Sequence, residues 1–340
     1  MPKTIVAAET HGPPAAAARS ITFAEAIREA IAEELERDER VFLMGQDVGI
    51  YGGCFGVTGD LQQRFGKRRV FDTPISETFM VGGGVGAAIT GLRPIVELQY
   101  GDFAAVAMDE IYGKASMWRY MHGALFAVPL VIRLPSGLIG GAGPEHSQCL
   151  EGLFWSAHGV YVVTPATPAD AKGLLKTAIR DDNPVLFFEH KGLYNTKGEV
   201  PEGEHLVPLG EAVVRRQGSD VTIIAWSNIV SRALEAADQL AGEGISVEVV
   251  DPRGIRPLDK ATILQSVEKT GRVVLAHEAP RIGGPSGEVA AMIAEEALAS
   301  LDAPIVRLGA PDVPIPQSVF LEQFIAPSVA GLVAAVKQIS

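Results

Sequence analysis

The sequence predicts an α/β protein with two domains and mainly parallel sheets. The chain has 340 residues, of which 47% are hydrophobic, so it can bury a sizeable core. Short apolar segments alternate with segments of helical spacing, and a stretch rich in Gly, Pro and charge interrupts this alternation at residues 191–210. A chain of this length usually forms two domains or one large one. Strands interleaved with helices favour parallel sheets with right-handed crossovers.

The first α/β domain is predicted over residues 20–190. In FAEAIREAIAEELERD (23–38), apolar residues recur at helical spacing and charged residues occupy the other face. Further helices are predicted in ETFMVGGGVGAAITG, DFAAVAMDEIYGKASMWRYM and PADAKGLLKTAIRDD. Buried strands are predicted in VFLMG, RPIVELQY, VPLVIRLP, VYVVTP and PVLFFEH.

The remaining chain divides into a linker, a second α/β domain and an N-terminal arm. The linker is predicted at 191–210, because turn-forming residues are concentrated there. The second domain is predicted over 211–340, where strands such as DVTIIAWS and RVVLAHE alternate with helices such as SRALEAADQLAGEG. Residues 1–19 are predicted to form a flexible arm and lack the unbroken apolar stretch of a signal peptide.

Charge and cysteine content exclude several classes of protein. Acidic residues outnumber basic ones by 41 to 29, which gives a net charge of −12 and argues against nucleic acid or an anionic membrane as a partner. The longest apolar run, at 80–92, is too short to span a bilayer. The two cysteines are far apart in sequence, which fits a reducing cytoplasm.

A glycine cluster at residues 82–87 fits the dinucleotide fingerprint G-x-G-x-x-G/A. That fingerprint belongs on the turn between a strand and the next helix, but the preceding DTPISETFM does not read as a strand. The interpretation we favour is that the glycines let a buried helix approach a neighbour closely. A nicotinamide enzyme stays the competing hypothesis.

Glu77 precedes these glycines and is predicted to lie at the start of the buried helix. A helix N-terminus stabilises a carboxylate electrostatically, so Glu77 is a candidate functional residue. The alternative is an ordinary capping-box glutamate.

His146 lies in GPEHSQC, on a predicted loop after a strand. Loops at the carboxyl ends of strands hold ligands in α/β proteins, although His146 could equally be a surface-loop histidine. Cys149 follows three residues later, but no ligand pair of known spacing accompanies it, which disfavours a metal site.

The chain resembles the beta subunits of the thiamine-diphosphate-dependent first component of 2-oxoacid dehydrogenase complexes. The resemblance extends over about 310 residues and rests on ordered strings that include GKRRVFDTPISE, GLRPIVELQYGDFAAVAMDEI, EHSQ, NPVLFFEHKGLY and SVEKTGRVVLAHEA. It implies a transketolase-like fold. The chain lacks the Gly-Asp-Gly motif with a downstream Asn-Asn pair that binds magnesium and the diphosphate. In this family the alpha subunit supplies that half of the site.

The resemblance also implies roles for single residues. Glu77 matches the glutamate that bonds the aminopyrimidine ring nitrogen of thiamine diphosphate and promotes formation of the thiazolium ylide. Phe103 matches the aromatic residue that packs on the pyrimidine ring, and Ile75 would lie beside the same ring. His146 matches a histidine that orients the substrate or lipoyl group and relays protons. Backbone carbonyls that hold a potassium ion in some members match Leu130, Ala178, Asp181 and Asn183.

The resulting hypothesis is a beta subunit in a cytoplasmic assembly of two alpha and two beta subunits. This assembly would oxidatively decarboxylate a 2-oxoacid, with pyruvate favoured, and transfer the acyl group to a lipoylated acyltransferase. Mg²⁺ would be held by the alpha subunit, and K⁺ is a possible further ion. A branched-chain 2-oxoacid and acetoin are the alternative substrates. An inactive scaffold subunit is the alternative of another class.

Overall fold

The computed structural model describes residues 18–340, and the predicted arm over 1–19 lies outside these residues apart from its last two. The strands are β1 (Ala18–Thr22), β2 (Val41–Gly45), β3 (Val70–Asp72), β4 (Arg93–Glu97), β5 (Val131–Ser136), β6 (Tyr161–Val163), β7 (Val185–His190), β8 (Lys197–Pro201), β9 (Val213–Arg216), β10 (Val221–Ala225), β11 (Val247–Asp251), β12 (Gly254–Arg256), β13 (Val273–Pro280) and β14 (Val306–Ala310). The α-helices are α1 (Phe23–Arg37), α2 (Leu61–Phe65), α3 (Glu77–Ile89), α4 (Trp118–Met121), α5 (Pro168–Arg180), α6 (Ile229–Ala241), α7 (Lys260–Thr270), α8 (Pro285–Glu296), α9 (Val319–Glu322) and α10 (Val329–Ile339).

These strands form two main sheets, as predicted. The first has seven strands in the order β12-β6-β7-β5-β4-β2-β3, and only β12 runs antiparallel to its neighbour. The second has the order β14-β13-β10-β11-β9, in which only β9 is antiparallel. The predicted α/β class with mainly parallel sheets is therefore confirmed.

Helices cover both faces of the first sheet. Helices α1 and α5 pack on one face in a fully apolar cluster that includes Phe23, Ile31 and Leu174. Helix α3 packs on the other face, where its residues join a cluster that continues into the second sheet. Since both faces are buried, β5 and β7 are inaccessible along their whole length, as expected for central parallel strands. Among residues 18–340, no helix combines the length and apolarity that crossing a bilayer requires.

The predicted long helix over 102–121 is wrong, because this segment forms three short helical pieces. They are a 3₁₀ turn at Gly101–Ala105, a π-helix at Asp109–Ala115 and the short helix α4. The hydroxyl of Ser116 donates to the carbonyl of Tyr112 at 2.5 Å, and such a side-chain bond competes with the regular helical ladder. Gly159 also packs against the carbonyl of Ser116, so tertiary contacts fix the irregular backbone.

The segment between the domains is more structured than its composition indicates. The predicted linker at 191–210 contains β8, which pairs antiparallel with β1. Strand β12, from the second predicted domain, adds to the edge of the first sheet. Strands β9 and β12 were not predicted; they have four and three residues. The domain boundaries of the sequence analysis stay predictions.

Two glycines of α3 provide a matched test of close packing. An added Cβ at Gly84 would lie 2.9 Å from Val96 Cγ2 and 3.0 Å from Leu130 Cδ1. At Gly86 an added Cβ would meet no described atom within 4 Å. We expect Gly84→Ala to lower the free energy of unfolding by about 1–3 kcal/mol through overpacking. Gly86→Ala should raise it by up to about 1 kcal/mol through helix propensity. Urea unfolding of both variants measures this, and equal effects would contradict close packing at Gly84.

Candidate active site

The candidate site lies at the carboxyl edge of the first sheet. In this parallel sheet the segments that follow β2, β3, β4, β5 and β7 all emerge at the same edge. These segments carry Gln46, Glu77, Phe103, His146 and Lys191, in that order. Ligand sites of α/β proteins form at this edge, so the topology gathers the candidate residues where a site is expected.

Glu77 is the first residue of α3 and is buried, with 7% of its surface exposed. Its Oε1 accepts a hydrogen bond from Gln46 Nε2 at 3.1 Å. The preceding Ser76 makes no side-chain capping bond, and Glu77 stands two positions before the place that a capping-box glutamate takes. The capping-box alternative is therefore wrong. Among the described residues, no donor reaches the second carboxylate oxygen of Glu77, which leaves that oxygen for a ligand.

Phe103 and His146 meet beside Tyr100. The His146 ring centroid lies 5.5 Å from that of Phe103 and 5.3 Å from that of Tyr100, both in edge-on geometry. Phe55 packs against Tyr100 from another side, with 5.8 Å between the ring centroids. These rings form an aromatic group at the sheet edge. The structure thus brings together two of the predicted site residues, Phe103 and His146.

Lys191 holds the backbone of His146 through a hydrogen bond. Its ammonium group donates to the His146 carbonyl and lies 4.8 Å from the Tyr100 ring centroid. Burial lowers the pKa of Lys191, and the nearby Asp102 carboxylate opposes this effect. Burial also disfavours the charged form of Asp102 and so raises its pKa. The Oδ1 atom of Asp102 accepts from the Gln148 amide at 3.0 Å. A buried lysine and a buried aspartate therefore hold the backbone around His146.

The start of α3 connects to the Phe103 segment through Thr78. The Thr78 hydroxyl donates to the Val106 carbonyl at 3.1 Å, directly after the 3₁₀ turn that contains Phe103. Among the described residues, the hydrogen bond of the Glu77 carboxylate goes to Gln46, and none joins Glu77 to the His146 ring. Ile75 is 81% exposed, so its side chain is open to a ligand or a partner chain.

The glycine fingerprint does not form a dinucleotide site. Gly82, Gly83, Gly84 and Gly86 all lie inside α3, and none occupies a turn between a strand and a helix. Close approach to the sheet is required at Gly84. A Cβ added at Gly82 would lie 3.3 Å from Glu110 Cγ. The nicotinamide hypothesis therefore loses the motif on which it rested.

Cys149, His190 and Glu278 form a buried group whose possible ligand atoms lie within 4.8 Å of one another. The Nδ1 of His190 accepts from the Gly192 amide at 3.1 Å, so the ring proton must lie on Nε2. That proton points at Glu278 Oε1, 2.9 Å away, and leaves His190 without a lone pair for a metal. This hydrogen bonding argues against a metal site, and the sequence-based expectation for Cys149 stays a prediction.

Glu151 follows Cys149 by two residues and is buried. Burial raises its pKa to about 7, and the carboxylate of Glu278 acts in the same direction. Since this pKa exceeds the unfolded value of 4.5, the stability contributed by the neutral acid is present below pH 4.5 and is lost as the pH rises through 7. We expect Glu151→Gln to be more stable than wild type at pH 8, by about 1–3 kcal/mol, and near wild type at pH 5.

Thermal unfolding between pH 5 and 8 measures this difference, with the exposed Glu145→Gln as the control. A constant difference across this range would show that Glu151 does not titrate there.

Sequence reasoning missed three residues of the site: Gln46, Tyr100 and Lys191. Gln46 and Lys191 each directly follow a central parallel strand. A search of the positions just after each predicted strand would have found both. Tyr100 lies three residues after β4, and only its tertiary contacts identify it.

Comparison with known proteins identifies the family. The family described as "Transketolase, pyrimidine binding domain" matches residues 19–197, and the family described as "Transketolase, C-terminal domain" matches residues 210–332. The chain is 44% identical to the 2-oxoisovalerate dehydrogenase subunit beta of Bacillus subtilis (strain 168), over 94% of this chain and 98% of that protein. This chain belongs to the family of 2-oxoacid dehydrogenase beta subunits.

Other members of this beta-subunit family match equally well. The pyruvate dehydrogenase E1 component subunit beta of Gracilaria tenuistipitata var. liui is 44% identical, over 93% of this chain and 98% of the relative. The acetoin:2,6-dichlorophenolindophenol oxidoreductase subunit beta of B. subtilis (strain 168) is also 44% identical, over 92% and 94%. A solved structure, "Split gene transketolase, inactive beta4 tetramer", is 26% identical with a TM-score of 0.77 and covers 94% of this chain and 98% of its own. The transketolase-like fold is thereby confirmed.

Proposed function

We propose that this beta subunit works with an alpha subunit in the thiamine-diphosphate-dependent oxidative decarboxylation of a 2-oxoacid. The acyl group would pass to a lipoylated acyltransferase. The observation that carries this proposal is the buried Glu77 carboxylate at the start of α3, which has one oxygen bonded to Gln46 and one left for a ligand. A member of this family with that carboxylate in place has the residue needed to bond the aminopyrimidine of the cofactor.

The residues of this chain fit the pyrimidine half of thiamine diphosphate. When bound, the cofactor supplies a thiazolium carbon that acts as the nucleophile toward the 2-oxoacid. The ionised Glu77 would accept a hydrogen bond from the pyrimidine ring nitrogen and so hold a proton on that nitrogen, and the dipole of α3 stabilises the carboxylate in this position. Phe103 would pack on the ring, and the exposed Ile75 would lie beside it.

His146 would act on the substrate side. Its ring is held between Tyr100 and Phe103, and its backbone is held by Lys191, so it presents a fixed imidazole to the site. An imidazole is suited to moving protons near neutral pH, which fits a role toward the 2-oxoacid or the lipoyl group.

Pyruvate stays the substrate we propose, ahead of a branched-chain 2-oxoacid and acetoin. Relatives named for pyruvate, 2-oxoisovalerate and acetoin are each 44% identical to this chain, so sequence identity does not rank these substrates. Retention of Glu77 and His146 argues against an inactive scaffold. A cytoplasmic location stays part of the proposal.

A potassium ion held by the carbonyls of Leu130, Ala178, Asp181 and Asn183 is a subsidiary proposal. Helix α5 ends at Arg180, so Ala178 and Asp181 lie at the negative end of its dipole, which attracts cations. Arg93 already donates to the Asp181 carbonyl at 2.7 Å. The potassium ion would therefore have to share that oxygen with a guanidinium group.

The isolated chain should bind the cofactor only weakly. We expect the purified chain to bind thiamine diphosphate and Mg²⁺ weakly, because it has no Gly-Asp-Gly motif with an Asn-Asn pair. Addition of an alpha subunit should restore binding by a factor on the order of 10² or more, since the second half of the site then completes it. Isothermal titration with thiamine diphosphate, with and without the alpha subunit, measures this.

Titration with NAD serves as the control for the competing hypothesis. Tight, magnesium-dependent binding of thiamine diphosphate by the chain alone would overturn the shared-site proposal. Binding of NAD by the chain alone would favour a nicotinamide enzyme instead.

A further inference from the structure

The loop at 137–150, which we call the His146 loop, is ordered by contacts with other parts of the protein. Gly137, Gly140, Gly141 and Gly143 all have positive φ, between 78° and 96°. Glycine has the greatest backbone freedom of all residues, so a loop with four of them loses much entropy when it is ordered. The fixed position of His146 therefore depends on contacts that the rest of the protein makes with this loop.

The first domain anchors the C-terminal part of the loop. Lys191 bonds the His146 carbonyl, and Asp102 accepts from the Gln148 amide. Gly137 also bonds back to the Gln148 carbonyl at 3.2 Å, which closes the base of the loop. These contacts leave residues 138–143 to be held from elsewhere.

The second domain anchors these residues with two buried carboxylates. Glu322, at the end of α9, accepts from the Gly140 amide with Oε1 at 2.7 Å and from the Gly141 amide with Oε2. Glu278, near the end of β13, accepts from the Leu138 amide at 2.7 Å. Hydrogen bonds to an ionised acceptor are about twice as strong as neutral ones, so Glu322 holds two successive amides firmly.

Steric contacts support the same conclusion. An added Cβ at Gly141 would lie 3.0 Å from both the Gln317 carbonyl and Val319 Cγ2. The loop backbone therefore packs directly on the segment that leads into α9. Glu322 has 5% of its surface exposed, so water does not compete for its carboxylate as it would at the surface.

We propose that Glu322 is a positioning residue for the active site. Its carboxylate fixes the His146 loop, and so His146, although Glu322 lies in the second predicted domain and the candidate site lies on the first sheet. The second domain would then take part in presenting the 2-oxoacid or lipoyl group. This inference rests on the proposed function for the role of His146, whereas the anchoring of the loop is independent of it.

Hydrogen–deuterium exchange of the full chain, alone and with its alpha subunit, tests the anchoring. We expect Glu322→Ala to speed amide exchange in residues 137–150 by about tenfold or more, because two charge-assisted bonds are lost. Glu322→Gln should give a smaller increase, since one amide oxygen can still accept while the NH₂ group faces the other N–H. Glu243→Gln, a half-exposed glutamate of the same domain, is the control and should leave the loop unchanged.

Kinetics of the assembled enzyme test the positioning. We expect kcat/KM for acyl transfer to the lipoylated partner to fall about tenfold or more in Glu322→Ala, as positioning defects do, and to fall less in Glu322→Gln. Exchange of the thiazolium proton, which depends on Glu77, should stay at the wild-type rate. This separation is not expected from a variant that merely unfolds more easily.

Three outcomes would overturn the proposal. One is unchanged exchange of residues 137–150 in both variants, and another is faster exchange spread evenly over the second domain. The third is a looser loop with undiminished acyl transfer. If even the wild-type assembly shows no thiamine-diphosphate-dependent activity, the proposed function fails, and the role of Glu322 toward the active site fails with it. The exchange data then decide only whether Glu322 anchors the loop.

Discussion

Glu77→Gln is expected to slow exchange of the thiazolium proton of bound thiamine diphosphate by a factor on the order of 10² or more, the range found for acid–base groups. The glutamine keeps the shape of the side chain and can still accept from Gln46 Nε2 through its amide oxygen. It cannot carry the negative charge that holds a proton on the pyrimidine ring nitrogen. NMR in deuterated buffer, on the chain assembled with its alpha subunit, measures the rate.

The same variant should change cofactor binding only modestly, because the diphosphate anchor is proposed to lie on the alpha subunit. Its stability should stay close to wild type, since no buried partner loses its hydrogen bond. Glu145→Gln, an exposed glutamate next to His146, is the matched control and should exchange at the wild-type rate. Wild-type exchange in Glu77→Gln would mean that the carboxylate only stabilises the start of α3, and the site assignment would then fail.

Local sequence patterns predicted the regular parts of the fold well. Strand β2 coincides with the predicted VFLMG segment, and α1 ends one residue before the predicted end. The signal is strong there because α1 has a full capping box between Thr22 and Glu25 and a continuous apolar face. The irregular 101–121 segment was mispredicted, since its shape is set by contacts with residues far away in sequence.

The candidate site divides in the same way. Glu77 and His146 could be proposed from their places at a helix start and on a loop after a strand, and the resemblance added Phe103. Gln46 and Glu322 act through hydrogen bonds that join residues 31 and more than 180 positions apart. No pattern within a window of the sequence reports such contacts. Sequence patterns therefore proposed candidate residues and, at strand ends, could also have proposed Gln46, whereas the contacts through which Gln46 and Glu322 act are visible only in the structure.

A buried ion group lies in the sheet directly beneath the candidate site. Arg133, in the middle of β5, is fully inaccessible and bonds both oxygens of Glu189 at 2.6 and 2.8 Å. Its third nitrogen bonds Glu97 on β4. Tyr194 donates to Glu189 at 2.9 Å, and Gln99 donates to Glu97 at 2.9 Å, which links the group to the segments that carry Tyr100 and Lys191.

Because these groups are buried, the two carboxylates depend on Arg133 for a compensating positive charge. Burial raises the pKa of Glu189, and Arg133 opposes this effect. Without the guanidinium, two buried carboxylates would face each other without a cation. Breaking a buried pair in this way costs far more than the net worth of the intact pair, because the remaining charge is left without a partner.

We therefore expect Arg133→Met to lower the free energy of unfolding by about 3–5 kcal/mol at pH 8. Loss of the cation raises the folded-state pKa of Glu189 further above its unfolded value. The protonated form is then favoured by folding, so the defect should shrink toward pH 5 and grow as the pH rises. Urea unfolding at both pH values measures it, with Arg64→Met, which breaks an exposed pair with Glu36, as a control that should cost less than about 1 kcal/mol. A defect in Arg133→Met as small as that of the control, or one independent of pH, would show that the carboxylates beneath the site do not depend on this guanidinium.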